Sequence, residues 1–136
     1  MTAYIERSKA FGTVTAPPSK SETHRMLIAA ALSGGSVSVQ KLSLDTSRTL
    51  SALKALGAYY TVQNGVISFS PLKLKNAPDN AVIYCGESAS TLRFLLPISI
   101  LTGKKITFTG EKSLLSRPNF VYEDIFKNQN IEYEKN

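Results

Sequence analysis

Two stretches of this 136-residue chain end alike. Leu32-Ser-Gly-Gly-Ser-Val-Ser-Val39 and Leu101-Thr-Gly-Lys-Lys-Ile-Thr-Phe108 each close an apolar run with a glycine turn and continue in alternating strand residues, 69 positions apart. Upstream, Ser21 to Arg25 and Ser88 to Arg93 each open that apolar run with hydroxyl residues followed by an arginine. Downstream, Thr49 to Val62 has a counterpart in Val121 to Tyr133, a second helix followed by a strand. The economical solution is a duplicated α/β unit of about 70 residues, longer than a solenoid repeat.

In the first unit, Arg25 to Leu32 predicts a helix stopped by Gly34-Gly35, apolar almost all round and therefore buried. Val37, Val39 and Leu42 read as a strand. Asp45 or Thr46 can cap a second helix through Leu50, Leu53 and Leu56, ended by Gly57. Tyr59 to Val62 and Val66 to Phe69 flank Asn64-Gly65, the strongest short hairpin signal. In the second unit, Ala81 to Tyr84 and Lys105 to Thr109 read as strands around a helix over Ser88 to Leu101. Pro97 should kink that helix, because proline removes a hydrogen bond and crowds the preceding turn. Glu111 to Pro118 should be a loop, Val121 to Lys127 a short helix and Ile131 to Tyr133 a last strand. Such a strand with nothing after it predicts an incomplete chain. The expected division is an N-terminal strand or hinge segment over 1–14, a first unit over 15–79 and a truncated second unit over 80–136.

With 43% hydrophobic residues the chain can fill one ordinary domain, burying about two-thirds of its unfolded surface. The net charge of +6 is compatible with nucleic acid, a membrane surface or a small acidic substrate. No run of clustered cations interleaved with aromatics appears, which argues against nucleic acid. Lys9, Lys41, Lys54, Lys127 and Lys135 stand singly and read as solvated surface. No stretch approaches membrane-spanning length, and Met1 to Phe11 carries Glu6, Arg7 and Lys9 without an apolar core, so a cytoplasmic protein is expected. One cysteine and one histidine allow neither an internal disulfide nor a zinc set.

The chemistry-bearing residues gather where loops enter helices. Pro17-Pro-Ser-Lys-Ser-Glu-Thr-His-Arg25 sets Lys20, Ser21 and Arg25 around a helix start, where unpaired N–H groups and the helix dipole favour an anion. Arginine supplies a bidentate fork and lysine a point charge. The plain alternative is a capping serine beside two solvated cations. Cys85-Gly-Glu-Ser-Ala-Ser-Thr-Leu-Arg93 repeats the design with small residues that admit a ligand to the backbone; Arg93 also suits a structural salt bridge. Proline after Arg117 extends that arginine out of its loop. His24 has the unperturbed pKa of a general base but no carboxylate at fixed spacing, and a packed residue is the simpler reading. Cys85 is either a nucleophile at a strand end or a small buried hydrophobe. No Ser-His-Asp set or glycine-rich nucleotide fingerprint is present.

The first of these segments resembles the Pro-Gly-Ser-Lys-Ser-x-Ser-Asn-Arg segment of 5-enolpyruvylshikimate-3-phosphate synthases. Leu44-Asp-Thr-Ser-Arg48 is similar to that family's Asp-Asp-Thr-Arg segment, Gly86 to Arg93 to its Gly-Asn-Ala-Gly-Thr-x-x-Arg loop, and Gly110 to Pro118 to its loop ending in Arg-Pro. The four are collinear and cover the family's opening third. The resemblance implies an inverse α/β fold of two lobes, each of three β-α-β-α-β-β units, with the site between lobes, and so an incomplete lobe here. It implies transfer of the enolpyruvyl group of phosphoenolpyruvate to shikimate 3-phosphate, in the shikimate pathway to aromatic amino acids, without metal or organic cofactor. Lys20 would contact phosphoenolpyruvate, Ser21 and Arg25 shikimate 3-phosphate, and Arg117 the phosphoenolpyruvate phosphate, with Ala89 where the loop backbone approaches. Glu87 and Arg93 are weaker members of the site, and no catalytic acid or base falls within this chain.

Pro18, His24, Glu87 and Ala89 depart from the motifs. Glu87 places a carboxylate beside an anion unless it turns away or pairs with an arginine. Ala89 adds a methyl where the motif has glycine, which should narrow the phosphoenolpyruvate site against bulkier analogues such as glyphosate. The competing readings are the sister enolpyruvyl transferase acting on UDP-N-acetylglucosamine, which usually carries Lys-Asn where this chain has Lys20-Ser21, and a non-catalytic anion-binding domain. On the favoured reading the isolated chain is inactive and needs a second lobe, from the same parent chain or a separate one.

Overall fold

The computed structural model describes residues 3–4 and 6–135. Helix α1 (Lys20–Ser33) starts five residues earlier than its apolar run, because Ser19 caps it: the Ser19 hydroxyl accepts from the Glu22 N–H. It ends at Gly34, whose φ of +80° is the left-handed cap geometry; a Cβ there would lie 2.5 Å from Pro71 Cγ. The helix is not buried all round. His24, Leu27, Ile28 and Ala31 face the core, while Met26, Ala29 and Leu32, three apart on the opposite stripe, are exposed.

Strand β1 (Ser36–Ser38) is shorter than expected and excludes Leu42, although the Val39 N–H still bonds to the Gly65 carbonyl. Helix α2 (Leu44–Ala55) is capped by Ser43, not by Asp45 or Thr46, since the Ser43 hydroxyl accepts from the Thr46 N–H. That shift puts Asp45 in the first turn, with its side chain available for another partner. Strands β2 (Tyr60–Gln63) and β3 (Val66–Phe69) form the expected hairpin, with Asn64 and Gly65 at φ of +48° and +74°. Their sheet is antiparallel in the order β1-β3-β2.

A 3₁₀ turn (Leu74–Asn76) leads to strand β4 (Ala81–Tyr84), helix α3 (Ala89–Ile100) and strand β5 (Ile106–Thr109), which pairs with β4 in parallel. The architecture is therefore mixed α/β, and the helix, glycine turn and strand sequence recurs as α1 to β1 and α3 to β5. Helix α3 runs through Pro97. Proline leaves the Arg93 carbonyl, four residues back, without its helical donor; the Tyr122 hydroxyl supplies one at 3.1 Å. Tyr122 lies on helix α5 (Phe120–Asn128), so this bond also docks α5 on α3.

Two further expectations fail. The 111–118 segment contains a short helix α4 (Lys112–Leu115), which anchors Leu114 in the core. Ile131 to Tyr133 forms no strand; Ile131 and Tyr133 pack partly buried on the core instead, Tyr133 with its ring 5.3 Å from that of Phe126. Among the described residues 3–4 and 6–14 no strand forms, and Met1, Thr2 and Ile5 of that segment lie outside the described residues, as does Asn136 of the second unit. The core joins Leu27 and Ala31 of α1, Leu53 of α2, Leu56 just after it, Ile83 of β4 and Leu95 of α3, all fully buried. Lys20 at the start of α1 and Thr91 at the start of α3 both reach Asp45 at the start of α2, so the starts of the three long helices share one region.

Candidate active site

Helix α1 presents its motif residues to solvent. Lys20 is the first helical residue, and Ser21 and Arg25 follow on the exposed surface. Lys20 Nζ lies 2.9 Å from Asp45 Oδ2 on the first turn of α2. Asp45 therefore holds the cation at the entrance of α1, a role that local sequence conceals because the pair is 25 residues apart. Arg25 forms no ion pair among the described residues. Beside this junction Pro17, Pro18, Lys20, Thr23, Lys41, Leu42, Ser43 and Thr46 line a concavity of about 380 Å³. A second concavity, about 430 Å³, lies by Glu123, Lys127 and Tyr133, and no motif residue lines it.

The α3 junction is more tightly built. Gly86 has a φ of +59° and packs under Arg48, whose Nε would lie 3.1 Å from a Cβ at that position. The Glu111 N–H bonds to the Gly86 carbonyl and the Ser88 N–H to that of Cys85, so the 86–90 and 110–117 loops are joined. Ser88 caps α3, accepting from the Thr91 N–H. Ala89 and Ser90 follow half-buried at the helix start, and Arg93 is exposed. Glu87 accepts a hydrogen bond from the Ser113 hydroxyl at 2.8 Å, which directs its carboxylate toward α4. Arg117 is exposed after α4, and no hydrogen bond or ion pair joins its side chain to Lys20, Ser21 or Arg25 among the described residues.

Arg48 closes the Leu44–Arg48 motif segment, yet sequence reasoning gave it no role of its own. Its guanidinium lies 4.7 Å from the centre of the Tyr84 ring, and its Nε is buried without a hydrogen-bond partner. The Tyr84 hydroxyl donates to Glu111, which pushes the Tyr84 pKa up; Arg48 opposes that shift. Two ambiguous residues resolve as packed ones. His24 is buried with its Nδ1 2.7 Å from Thr49 Oγ1, and burial lowers its pKa against the raising effect of Asp45. Cys85 is fully buried, which pushes its thiol up to about 11 and leaves no thiolate at neutral pH. Among the described residues no cluster of three metal-ligating side chains occurs, and no helix is long and apolar enough to cross a membrane.

Two helix starts, each with a serine cap, exposed arginine and close backbone, fit binding of more than one anion. The family model for EPSP synthase (3-phosphoshikimate 1-carboxyvinyltransferase) matches residues 6–134. The chain belongs to the EPSP synthase family. The 3-phosphoshikimate 1-carboxyvinyltransferase of Clostridium kluyveri is 44% identical over 135 residues, covering 96% of this chain and 31% of the relative. That of Clostridium perfringens strain SM101 is 39% identical over 131 residues, with 95% and 31% covered. A solved EPSP synthase from Acinetobacter baumannii superposes with a TM-score of 0.68 at 24% identity, over 91% of this chain and 30% of that one, and so supports the fold. The chain thus spans about a third of the length of these EPSP synthase relatives.

Proposed function

We propose that this chain forms one wall of the active site of a 3-phosphoshikimate 1-carboxyvinyltransferase, acting in the cytoplasm on phosphoenolpyruvate and shikimate 3-phosphate. The observation that carries the reading is the gathering of the motif-bearing starts of α1, α2 and α3 in one region, with Lys20 held by Asp45. Lys20 and Arg117 take phosphoenolpyruvate, Ser21 and Arg25 take shikimate 3-phosphate, and Ala89 lines the approach of the loop backbone. Glu87 and Arg93 flank that loop. Bringing two anions together is repulsive, and fixed cations and helix-start N–H groups offset that repulsion while aligning the shikimate 5-hydroxyl with C2 of the enol phosphate. Addition there, with protonation of C3, gives a tetrahedral intermediate, and loss of phosphate together with a C3 proton forms the enol ether of the product.

The acid and base for those proton transfers come from a second lobe, in the same parent chain or a separate one. Tyr4, Phe11 and Val14 are more than 90% exposed, as befits a 1–14 segment whose apolar side chains pack on that lobe. Residues 15–79 and 80–136 then serve as two units of the first lobe. The isolated chain binds but does not turn over. Calorimetry with shikimate 3-phosphate tests the assignment: Arg25→Ala should weaken binding roughly ten- to a hundred-fold, the worth of a charged hydrogen-bonded contact. Equal affinities for the wild-type and variant chains would reject the role of Arg25.

A further inference from the structure

A run of buried polar side chains connects the two anion-facing junctions through the core. His24 Nδ1 is 2.7 Å from Thr49 Oγ1, Thr49 Oγ1 is 2.7 Å from Thr91 Oγ1, and Thr91 Oγ1 is 2.8 Å from Ser88 Oγ. Their exposures are 2%, 0%, 0% and 3%, so water does not interrupt the run. One end sits on α1 immediately before Arg25, the other at the cap of α3 immediately before Ala89, and the middle belongs to α2 and α3. A buried polar run is costly unless every member is satisfied, and an apolar core would have held three helices together without it.

Each hydroxyl carries one proton, so when the Thr91 proton stays in the run rather than going to the Asp45 carbonyl at 3.4 Å, the run points one way along its length. In one direction His24 Nδ1–H donates to Thr49, Thr49 to Thr91 and Thr91 to Ser88, leaving the Ser88 proton for an acceptor at the start of α3. In the other, Ser88 donates inward and His24 Nδ1 accepts, with the ring proton on Nε2. The geometry points to Thr49 and Thr91 as positioning residues: we infer that the run is a relay through which an anion at the α3 start selects the outward direction and fixes His24 on α1 in its Nδ1–H tautomer. A phosphate offers mainly acceptor oxygens near neutral pH, which is why it favours the outward direction. The groups facing His24 are Asp45 and Lys20, of opposite charge, and the Phe94 ring at 6.5 Å; burial keeps the imidazole neutral at neutral pH, where the tautomer can be read.

The inference rests on the anion-site reading above, and one experiment separates their failures. Inorganic phosphate is titrated into the nitrogen-15-labelled chain near neutral pH, and both the backbone amides and the His24 ring nitrogens are followed by NMR. The expected result is a shift of the Ala89 and Ser90 amides together with a rise in the Nδ1–H population of His24. Thr49→Val should retain the amide response, abolish the ring response and weaken phosphate about five-fold, the worth of one hydrogen bond, and Thr49→Ser should restore both. Amides that respond in the wild-type chain while the ring does not would overturn the relay and leave the anion site standing. If neither responds, the anion reading fails and takes the relay with it. The wild-type titration decides the matter even if Thr49→Val does not fold.

Discussion

The starts of α1 and α3 share a local grammar, a serine cap followed by an arginine on a core-facing helix, yet they are held in different ways. The α3 start follows a strand that is paired with β5, and its loop is tied to Gly86, Glu111, Ser113 and Arg48. The α1 start follows residues without regular structure, and ahead of the buried His24–Thr49 bond its tertiary tether is the partly exposed pair of Lys20 and Asp45. Exposed pairs contribute about 1 kcal/mol or less, so α1 has little to fix its entrance in this chain alone. The lesson is a division of labour: the loop before α3 is preformed by ties within its own unit, whereas the first turn of α1 is held by one partly exposed ion pair.

The sharpest way to break this contrast is Gly110→Ala. Its Cβ would fall 2.7 Å from the Gly86 carbonyl oxygen and 3.0 Å from Leu114 Cδ2, so backbone must move. We expect a loss of about 1–3 kcal/mol in denaturant titration, with amide shifts confined to the α3 side. Equal disturbance at both helix starts would contradict the division.

A smaller effect separates the two caps. Ser88→Ala removes a buried cap that also accepts from Thr91 Oγ1, and should cost about 2 kcal/mol; Ser19→Ala removes an exposed one and should cost about 0.5–1 kcal/mol. Matched losses in the unfolding midpoints would show the two starts to be held alike.

The mildest test is pH. Burial lowers the folded pKa of His24 below the ordinary 6.5, so the unfolded chain takes up the proton first as pH falls. The stability from neutral His24 is full above 6.5 and is lost as pH drops through that value toward the folded pKa. His24→Asn should flatten the urea midpoint against pH in that window, where His24 is the sole histidine. Parallel curves for the two proteins would mean that the α1 side is not anchored through a neutral imidazole.

Much of this was legible from local rules. Asn64-Gly65 demanded positive φ and made its hairpin, Gly34 stopped α1, and the 69-residue echo foretold the paired helix and strand runs. What escaped depended on neighbours distant in sequence. Asp45 or Thr46 was expected to cap α2, and Ser43, which does, was not considered; only with Ser43 as the cap does Asp45 become free to reach Lys20. Arg48 gave no local sign, because its partners are a tyrosine ring and a glycine turn near 84–86. The α4 turn is too short to show a period, and Ile131 to Tyr133 has strand composition yet packs on the core without forming a strand.

Amide hydrogen exchange with and without shikimate 3-phosphate tests the central claim most directly. Without ligand, amides of 86–92 should be protected while those of 15–22 exchange rapidly. Added shikimate 3-phosphate should slow exchange at Ser21 to Thr23 and leave the 86–92 pattern largely unchanged. Protection already present at the α1 start without ligand, or no change there when ligand is added, would contradict the account.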